Sequence, residues 1–151
     1  MKKISNGVKI LAENKKIKFD YDISEKFEAG IELTGHEVKS IKMGKADLKG
    51  SYGIIRGGEI YIIGLKISSF QPKNAPEDYD SERTKKLLMK NKEINYLVGK
   101  LNENLTLVAI KMYSKNGLIK IEMGLGKGRK KKDKREYLKQ KEARKEVRKF
   151  T

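Results

Sequence analysis

Cysteine and tryptophan are absent from this chain of 151 residues, and proline occurs twice and histidine once. Without cysteine there is no disulfide, thiolate zinc site or cysteine nucleophile. The lone histidine, His36, cannot build a zinc site of three or four protein ligands, and we expect it to be an exposed residue at a helix start. No run approaches the ~18 apolar residues of a membrane span, and the first residues lack the apolar segment of a secretory signal. We therefore expect a cytoplasmic protein without metal, cofactor or membrane anchor.

Acidic residues are scarce relative to basic ones. The chain has 36 Lys and Arg against 20 Asp and Glu, a net charge of +16. Residues 127–151 hold 13 basic and 4 acidic residues, and they predict a tail that stays disordered until a polyanion binds it. Nucleic acid is the expected partner, because clustered cations displace counterions from a phosphate backbone. The alternatives are a solvated tail without a ligand and a compositional bias toward lysine.

No residue pattern typical of catalysis is present. The serines lie outside any nucleophile-elbow motif, so we do not expect a hydrolase. The densest acidic set, Asp20, Asp22 and Glu25, is what a metal-dependent nuclease or RNA-modifying enzyme would use. Strand alternation explains the first two of these carboxylates as solvent-facing instead. The expectation is a protein that binds and does not catalyse.

The glycine-rich run at residues 124–128 is the one segment that resembles a phosphate-binding loop. It lacks the Ser or Thr that follows the lysine of a P-loop. We expect its glycines to end the last strand and to let the backbone approach RNA phosphate. The basic residues expected to supply charge there are Lys127, Arg129 and Lys130.

The first half of the chain predicts strands and one short helix. Strict alternation of apolar residues indicates two half-buried strands at residues 17–23 and 27–33. Residues 34–44 change to helical spacing, with the signature of a capping box at their start and a glycine at their end. Residues 51–64 predict a hairpin, because Gly57-Gly58 suits the positive φ values of a two-residue turn.

The second half predicts a loop, a helical region and another hairpin. Both prolines lie in the loop at residues 71–80. Apolar residues recur at helical spacing over residues 81–102, and Asn91 is placed to begin a second helix. Asn116-Gly117 is a strong hairpin signal between two apolar segments of residues 105–123.

These elements describe a mainly β body with flanking helices. We count about six strands and two or three short helices, which favours a small closed or nearly closed antiparallel barrel. We expect one domain at residues 1–126 and a basic appendage at residues 127–151.

Four ordered segments resemble the bacterial small protein B family, the SsrA (tmRNA) binding proteins. The segments are EAGIELTGHEVKSIKMGKADLKGSY (residues 28–52), RTKKLL (83–88), KEINYLVGK (92–100) and GLGKGRKKKDKRE (124–136). The likeness covers nearly the whole chain. It implies an oligonucleotide-binding-type β-barrel, in agreement with the strand count above.

The resemblance implies an RNA-binding adaptor that is not an enzyme. Proteins of this family bind the tRNA-like end of tmRNA and deliver it, with elongation factor Tu, to stalled 70S ribosomes for trans-translation. The barrel would hold the RNA, and the tail would become helical in the empty mRNA channel. We expect a monomer. The competing interpretation is a structural ribosomal protein, since many of those are also small basic barrels with basic extensions.

The resemblance also implies roles for individual residues. Asn14, Glu28 and Leu88 match positions associated with tmRNA binding, although Glu28 could be a structural residue at a strand entry and Leu88 a core residue. The D-K-R element linked to the ribosomal decoding region corresponds to Asp133, Lys134 and Arg135. The preceding position, often histidine or aromatic in the family, is Lys132, which replaces stacking by a point charge or by a weaker contact of its aliphatic stem. Val147 and Phe150 lie on a thin apolar stripe of the tail helix.

Overall fold

The computed structural model describes residues 3–4 and 7–149, with side chains from residue 7 to residue 145. Within these residues the protein is mainly β, with four α-helices. The strands are β1 (Lys3–Ile4), β2 (Val8–Glu13), β3 (Tyr21–Ile31), β4 (Ala46–Asp47), β5 (Tyr52–Arg56), β6 (Glu59–Ile63), β7 (Lys66–Ile67), β8 (Lys85–Leu88), β9 (Thr106–Lys115) and β10 (Leu118–Gly128). The helices are α1 (Ile17–Asp20), α2 (Gly35–Lys42), α3 (Asn91–Leu101) and α4 (Lys131–Lys149), with a short 3₁₀ turn at Pro72–Asn74.

Eight strands form one antiparallel sheet in the order β1-β2-β9-β10-β3-β8-β6-β5. Strand β5 also pairs with β9, through Tyr52 opposite Val108 and Gly53 opposite Leu107. The pairings from β9 through β10, β3, β8, β6 and β5 therefore return to β9. Strands β4 and β7 pair separately.

One apolar core lies inside this ring of strands. Leu107, Ile121 and Leu125 are completely buried on its inner side. Helix α3 contributes the buried Ile94 and Leu97, and α2 adds further apolar contacts to the same cluster. Helix α1 covers one part of the outer side of β9, where Ile17 is buried against Val108 and Ile110. The outer side around Glu28 reaches solvent, since the Glu28 side chain is 42% exposed.

Both predicted hairpins and the short helix are confirmed. Gly57 and Gly58 have φ of 57° and 76° between β5 and β6, and Asn116 has a φ of 51° between β9 and β10. Helix α2 begins with the predicted capping box: Thr34 Oγ1 accepts the Glu37 N–H at 3.2 Å, and the Glu37 carboxylate accepts the Thr34 N–H at 2.8 Å. These local signals were sufficient because each turn or cap is specified by neighbouring residues.

The two strands predicted at 17–23 and 27–33 are instead a one-turn helix followed by one long strand. Ile17 is buried against Val108 and Ile110, and it starts α1 because its N–H is bonded to the Asn14 carbonyl at 3.2 Å. From Tyr21 the predicted strand is correct and runs on to Ile31, but its alternation is interrupted by a bulge at Ser24, where the register with β10 shifts. The polar residues between the two predicted strands lie within β3 because β10 pairs along its whole length.

The helix predicted over residues 81–102 is wrong for its first part. Residues 85–88 form β8, with Leu87 opposite Ile60 and Lys85 opposite Ile62 of β6. Helix α3 then begins at Asn91, where the sequence indicated a second start. The tertiary pairing with β6 overrides the helical spacing of the leucines.

The glycines near the end of β10 serve packing inside the fold. The strand does not end before them but continues to Gly128, with Lys127 still paired opposite Asp22. A Cβ added at Gly124 would lie 2.8 Å from Ile110 Cδ1, and one at Gly126 would lie 2.6 Å from the Asp22 carbonyl oxygen. These two buried glycines thus allow β10 to lie close to its neighbours, whereas we expected them to allow approach to RNA.

Candidate nucleic-acid interface

The strand register brings Glu28 and Leu88 onto one exposed outer face. Leu88 lies opposite Gly30 in the pairing of β8 with β3, and Gly30 points to the same side as Glu28, two residues earlier. Gly30 also lies opposite Lys120 of β10. We call the outer side of β3, β10 and β9 around Glu28 the strand face.

Glu28 is held in place on this face by two partners from β9. The Tyr113 hydroxyl donates a short hydrogen bond to Glu28 Oε2, and Lys115 Nζ lies 3.6 Å from the same oxygen. The hydrogen bond from Tyr113, followed by the charge of Lys115, lowers the pKa of the Glu28 carboxyl against the opposing effect of burial. Burial, the hydrogen bond and the charge of Glu28 raise the pKa of Tyr113. Glu28 is therefore an ionised, oriented acceptor.

Leu88 lies on the surface, so its interpretation as a core residue is wrong. Its side chain is 49% exposed, among the most exposed of the large apolar side chains. A Cβ at Gly30 would lie 3.2 Å from Leu88 Cβ, which shows that the leucine lies over the bare backbone of β3. An apolar surface beside a carboxylate and lysines is suited to contact with a base face.

Asn14 directly follows β2 and lines two depressions of the surface, one of them beside the strand face. Its backbone N–H donates to the Ile110 carbonyl at 2.8 Å, and its Nδ2 lies 3.4 Å from the Ala109 carbonyl. It lines a depression of about 370 Å³ together with Lys111 and Glu122, which stand on β9 and β10 next to Glu28. Asn14 also lines a larger groove on its other side.

The larger groove has a volume of about 770 Å³ and lies between α1, the residues before β5, and the root of α4. We call it the root groove. Its charged lining comprises five basic and three acidic residues: Lys15, Lys16, Lys49, Arg129, Lys134, Glu13, Asp20 and Asp47. Tyr21 and Tyr52 add aromatic surface. Cations next to aromatic rings are the combination that holds backbone phosphates and stacks bases.

The root of the basic tail is packed against α1. Arg129 Nε donates to the Lys18 carbonyl at 3.1 Å, and its guanidinium lies 4.4 Å from the ring centroid of Tyr137. Lys134 Nζ lies 3.4 Å from Asp20 Oδ1 and 5.3 Å from the Phe19 ring centroid. These contacts fix the direction in which α4 leaves the body.

The residues of the D-K-R element differ in what they contact. Asp133 Oδ2 accepts the Lys130 N–H at 3.3 Å, a cap on the first turn of α4. Lys134 pairs with the body, whereas the side chains of Arg135 and Lys132 are exposed, as is that of Lys127. The side chain of Val147 and the whole of Phe150 lie outside the described residues.

The acidic set considered for a nuclease is dispersed among cations and a tyrosine. Asp20 pairs with Lys134, and Asp22 lies 3.9 Å from Arg129. Glu25 accepts a hydrogen bond of 2.7 Å from Tyr96. No group of three or more potential metal ligands occurs within residues 7–145, and none of the described helices is suited to cross a membrane.

Sequence reasoning missed a buried ion network between α2 and the start of β8. Glu37, 2% exposed, lies 2.7 Å from Arg83 Nη2 and 3.6 Å from Nζ of the completely buried Lys85. Burial raises the pKa of Glu37, but the hydrogen bonds from Arg83 and Thr34 outweigh it and the net pKa is lowered. Burial lowers the pKa of Lys85. The only available signal was that Arg83 and Lys85 begin a segment with family resemblance.

His36 is not the exposed residue we expected. Its Nε2 lies 2.9 Å from Ser69 Oγ, and its ring packs at 4.7 Å from Phe70 and 4.8 Å from Tyr79, centroid to centroid. The long segment after β7 folds back over the start of α2 and covers it. The histidine is therefore part of the packing that anchors this segment.

The circular strand pairing, the two basic depressions and the basic helix define a small β protein of the nucleic-acid-binding class. The model of the family described as SmpB protein matches residues 11–151. Among curated relatives, the SsrA-binding protein of Synechococcus elongatus is 47% identical over 133 residues, 87% of this chain and 86% of its own. That of Geobacillus thermodenitrificans is 45% identical over 140 residues, 92% and 90% of the two chains. The chain therefore belongs to the SmpB protein family.

A solved structure has a similar fold. It is described as "tmRNA-SmpB: a journey to the center of the bacterial ribosome". The similar chain in it has a TM-score of 0.67 and 37% sequence identity, over 84% of this chain and 93% of that one. The likeness thus extends to the arrangement of the body in space.

Proposed function

We propose that this protein is an RNA-binding adaptor that binds tmRNA and delivers it to stalled ribosomes for trans-translation and ribosome rescue. Its relatives are SsrA-binding proteins, and the similar solved chain belongs to a structure whose description joins tmRNA, SmpB and the ribosome. The observation that carries the proposal is that Glu28 and Leu88, 60 residues apart, meet on one exposed face among lysines. The adaptor has no catalytic role of its own.

The body is interpreted as an oligonucleotide-binding-type barrel, because its strand pairings close into a ring of six. In this proposal residues 1–126 form the RNA-binding domain and residues 127–151 the tail. The tail is disordered in the free protein and helical on the ribosome, and α4 represents the bound conformation. Its length of 19 residues and its small number of apolar residues make an isolated helix marginal in water.

The proposed RNA contacts are divided between the strand face and the root of the tail. Glu28, Leu88 and Asn14 contact the tRNA-like part of tmRNA, whose unpaired bases need oriented polar groups beside apolar surface. Lys127, Arg129 and Lys130 contact phosphate where the body meets the tail. The tail residues assigned to the decoding region and mRNA channel are Lys132, Asp133, Lys134, Arg135, Val147 and Phe150.

The remaining partners follow from this role. Alanylated tmRNA brings elongation factor Tu into the same complex, and the protein acts as a cytoplasmic monomer. The expected ribosomal target is a stalled 70S particle with an empty mRNA channel. A basic helix of this length would bind ribosomal RNA mainly through phosphate contacts, and so with a steep dependence on salt.

The test is to recover and sequence the RNA that copurifies with the protein. Two results together support the proposal. One tRNA-like RNA should be enriched with the wild-type protein, and Glu28→Ala should weaken the binding of that RNA by about 1–3 kcal/mol. The matched control is Glu59→Ala, an exposed glutamate paired with Lys86 on β8 at 3.3 Å. Recovery of ribosomal RNA alone, in stoichiometric amounts, would instead support a structural ribosomal protein.

The tail is tested separately. A chain ending at Gly128 should keep specific tmRNA binding and lose tagging of stalled peptides, with a shallower salt dependence. Ala143→Pro should break α4 and abolish tagging while tmRNA binding remains. Full tagging by either variant would refute the role assigned to the tail.

A further inference from the structure

The contacts of Glu28 are concentrated on one of its two carboxylate oxygens. Both the Tyr113 hydroxyl and the Lys115 ammonium group contact Oε2. Among the described residues, no hydrogen bond to Oε1 is present. Because the Glu28 side chain is 42% exposed, its carboxylate is accessible to a donor from outside the protein.

Tyr113 is rigidly placed for this contact. It is only 6% exposed although it stands on the outer side of β9. Its backbone lies opposite Lys120 of β10, and Lys120 in turn lies opposite Gly30 of β3. The ring therefore crosses β10 to reach Glu28 on the next strand, and Lys111 Nζ lies 5.9 Å from its centroid.

We propose that Tyr113 is a positioning residue for RNA recognition, which orients the Glu28 carboxylate so that its free oxygen accepts a hydrogen bond from RNA. This rests on the proposed function. The donor class is an exocyclic amino group of an unpaired base or a ribose 2′-hydroxyl, since both present a hydrogen to a carboxylate. Lys115 balances the charge of Glu28, which would otherwise repel a nearby phosphate.

A fixed acceptor binds more tightly than a mobile one because the rotamer freedom of the side chain is already lost before RNA arrives. Tyr113→Phe removes the hydroxyl and keeps the ring. We expect it to weaken binding of the isolated tRNA-like part of tmRNA by about 5- to 20-fold. This is less than the roughly 10- to 150-fold of a whole hydrogen bond to a charged group, because Glu28 itself remains. The matched control is Tyr96→Phe, which removes a hydroxyl bonded to Glu25 away from the strand face and should leave affinity unchanged.

A double-mutant cycle separates positioning from packing. Tyr113→Phe, Glu28→Gln and the double variant are compared for RNA affinity and thermal unfolding. If the tyrosine acts through the glutamate, adding Tyr113→Phe to Glu28→Gln changes affinity by less than about twofold, the limit of additive error. Fully additive losses would overturn the inference.

The orientation of Glu28 has a spectroscopic readout. Since the Tyr113 hydroxyl is the main cause of the lowered pKa of Glu28, Tyr113→Phe should raise that pKa in a carboxyl NMR titration of the free protein. Unchanged titration of Glu28 would overturn the inference. The inference is also overturned if Tyr113→Phe binds RNA with wild-type affinity while Glu28→Gln binds weakly, and this result leaves the proposed function intact. Wild-type affinity of Glu28→Gln would instead count against the proposed RNA contact of Glu28 itself.

A final comparison distinguishes the two donors. Inosine in place of guanosine, purine riboside in place of adenosine and 2-pyrimidinone riboside in place of cytidine each remove an exocyclic amino group, and 2′-deoxy substitution removes the hydroxyl. The RNA group that contacts Glu28 is the one whose removal weakens binding to the wild-type protein about as much as Glu28→Gln weakens binding of unsubstituted RNA. Its removal should cause no further loss of binding to the Glu28→Gln variant. If neither set of substituted RNAs shows this coupling, Glu28 accepts no RNA hydrogen bond and the inference fails.

Discussion

Glu37→Ala is expected to be among the most destabilising single substitutions in this protein. The carboxylate is 2% exposed and accepts hydrogen bonds from Arg83 Nη2 at 2.7 Å and from the Thr34 backbone at 2.8 Å. Lys85 Nζ, on a completely buried side chain, lies 3.6 Å away. Removing Glu37 leaves Lys85 as a buried cation whose remaining partners are carbonyl oxygens of Arg83 and Leu65.

The magnitude follows from these contacts. Breaking a buried ion pair by removing one partner costs about 3–5 kcal/mol, because the other charge stays desolvated. Loss of the capping box at α2 adds about 1 kcal/mol. The losses of the ion pair and of the capping box both concern the Glu37 carboxylate, so the two contributions do not add fully. We expect the free energy of unfolding to fall by about 4 kcal/mol. For a chain of this length that corresponds to roughly 10 °C in Tm.

Urea and thermal unfolding of the purified variants measure this loss. Glu59→Ala is the matched control, since its ion pair with Lys86 joins side chains that are 46% and 31% exposed and should contribute less than about 1 kcal/mol. The buried-charge argument is refuted if Glu37→Ala and Glu59→Ala lose equal stability. Glu37→Gln should fall between the two because it keeps the shape of the side chain.

Three further predictions concern pH, the tail and the sheet. The pKa values of Glu28 and Glu37 are lowered in the folded protein, so the unfolded state binds more protons in acid. The stability that these two carboxylates contribute should be constant above the ordinary carboxyl pKa and should fall as the pH drops through their folded pKa values. A pH series of urea melts in which Glu37→Ala keeps the full pH dependence would contradict this. Asp133→Ala should destabilise helical α4 by about 1 kcal/mol because it removes the acceptor of the Lys130 N–H, seen as faster amide exchange in the first turn of α4 when the variant is bound to the ribosome. Gly126→Ala should cost about 1–3 kcal/mol because its Cβ meets a strand backbone at 2.6 Å, whereas Gly128→Ala, with only Tyr21 at 3.8 Å, should lose less than half as much.

Local structure was largely predictable. The Asn116-Gly117 turn, the capping box at Thr34 and the start of a helix at Asn91 are all set by residues within four positions of one another. The order and spacing of the family segments likewise indicated the family from the sequence. The candidate residues Glu28 and Leu88 were identified in the same way, by position within those segments.

The errors arose where distant strands decide the conformation. Leu87 and Leu88 extend the helical spacing of the apolar residues in 94–101, yet pairing with β6 makes residues 85–88 a strand and buries Lys85. Residues 17–20 alternate like a strand, yet the bond from Ile17 N–H to the Asn14 carbonyl and burial against Val108 make them a helical turn. In both places a short segment with a weak local preference follows the contacts it makes with another part of the chain.

The sequence by itself thus determined the family, the basic tail and the turns, since composition and short motifs carry that information locally. Only the tertiary structure decided that Glu28 and Leu88 share one face, that Tyr113 holds Glu28, and that Glu37 faces a buried lysine. The physical reason is that strand register places side chains from remote positions within hydrogen-bonding distance. No periodicity along the chain records which strands will pair.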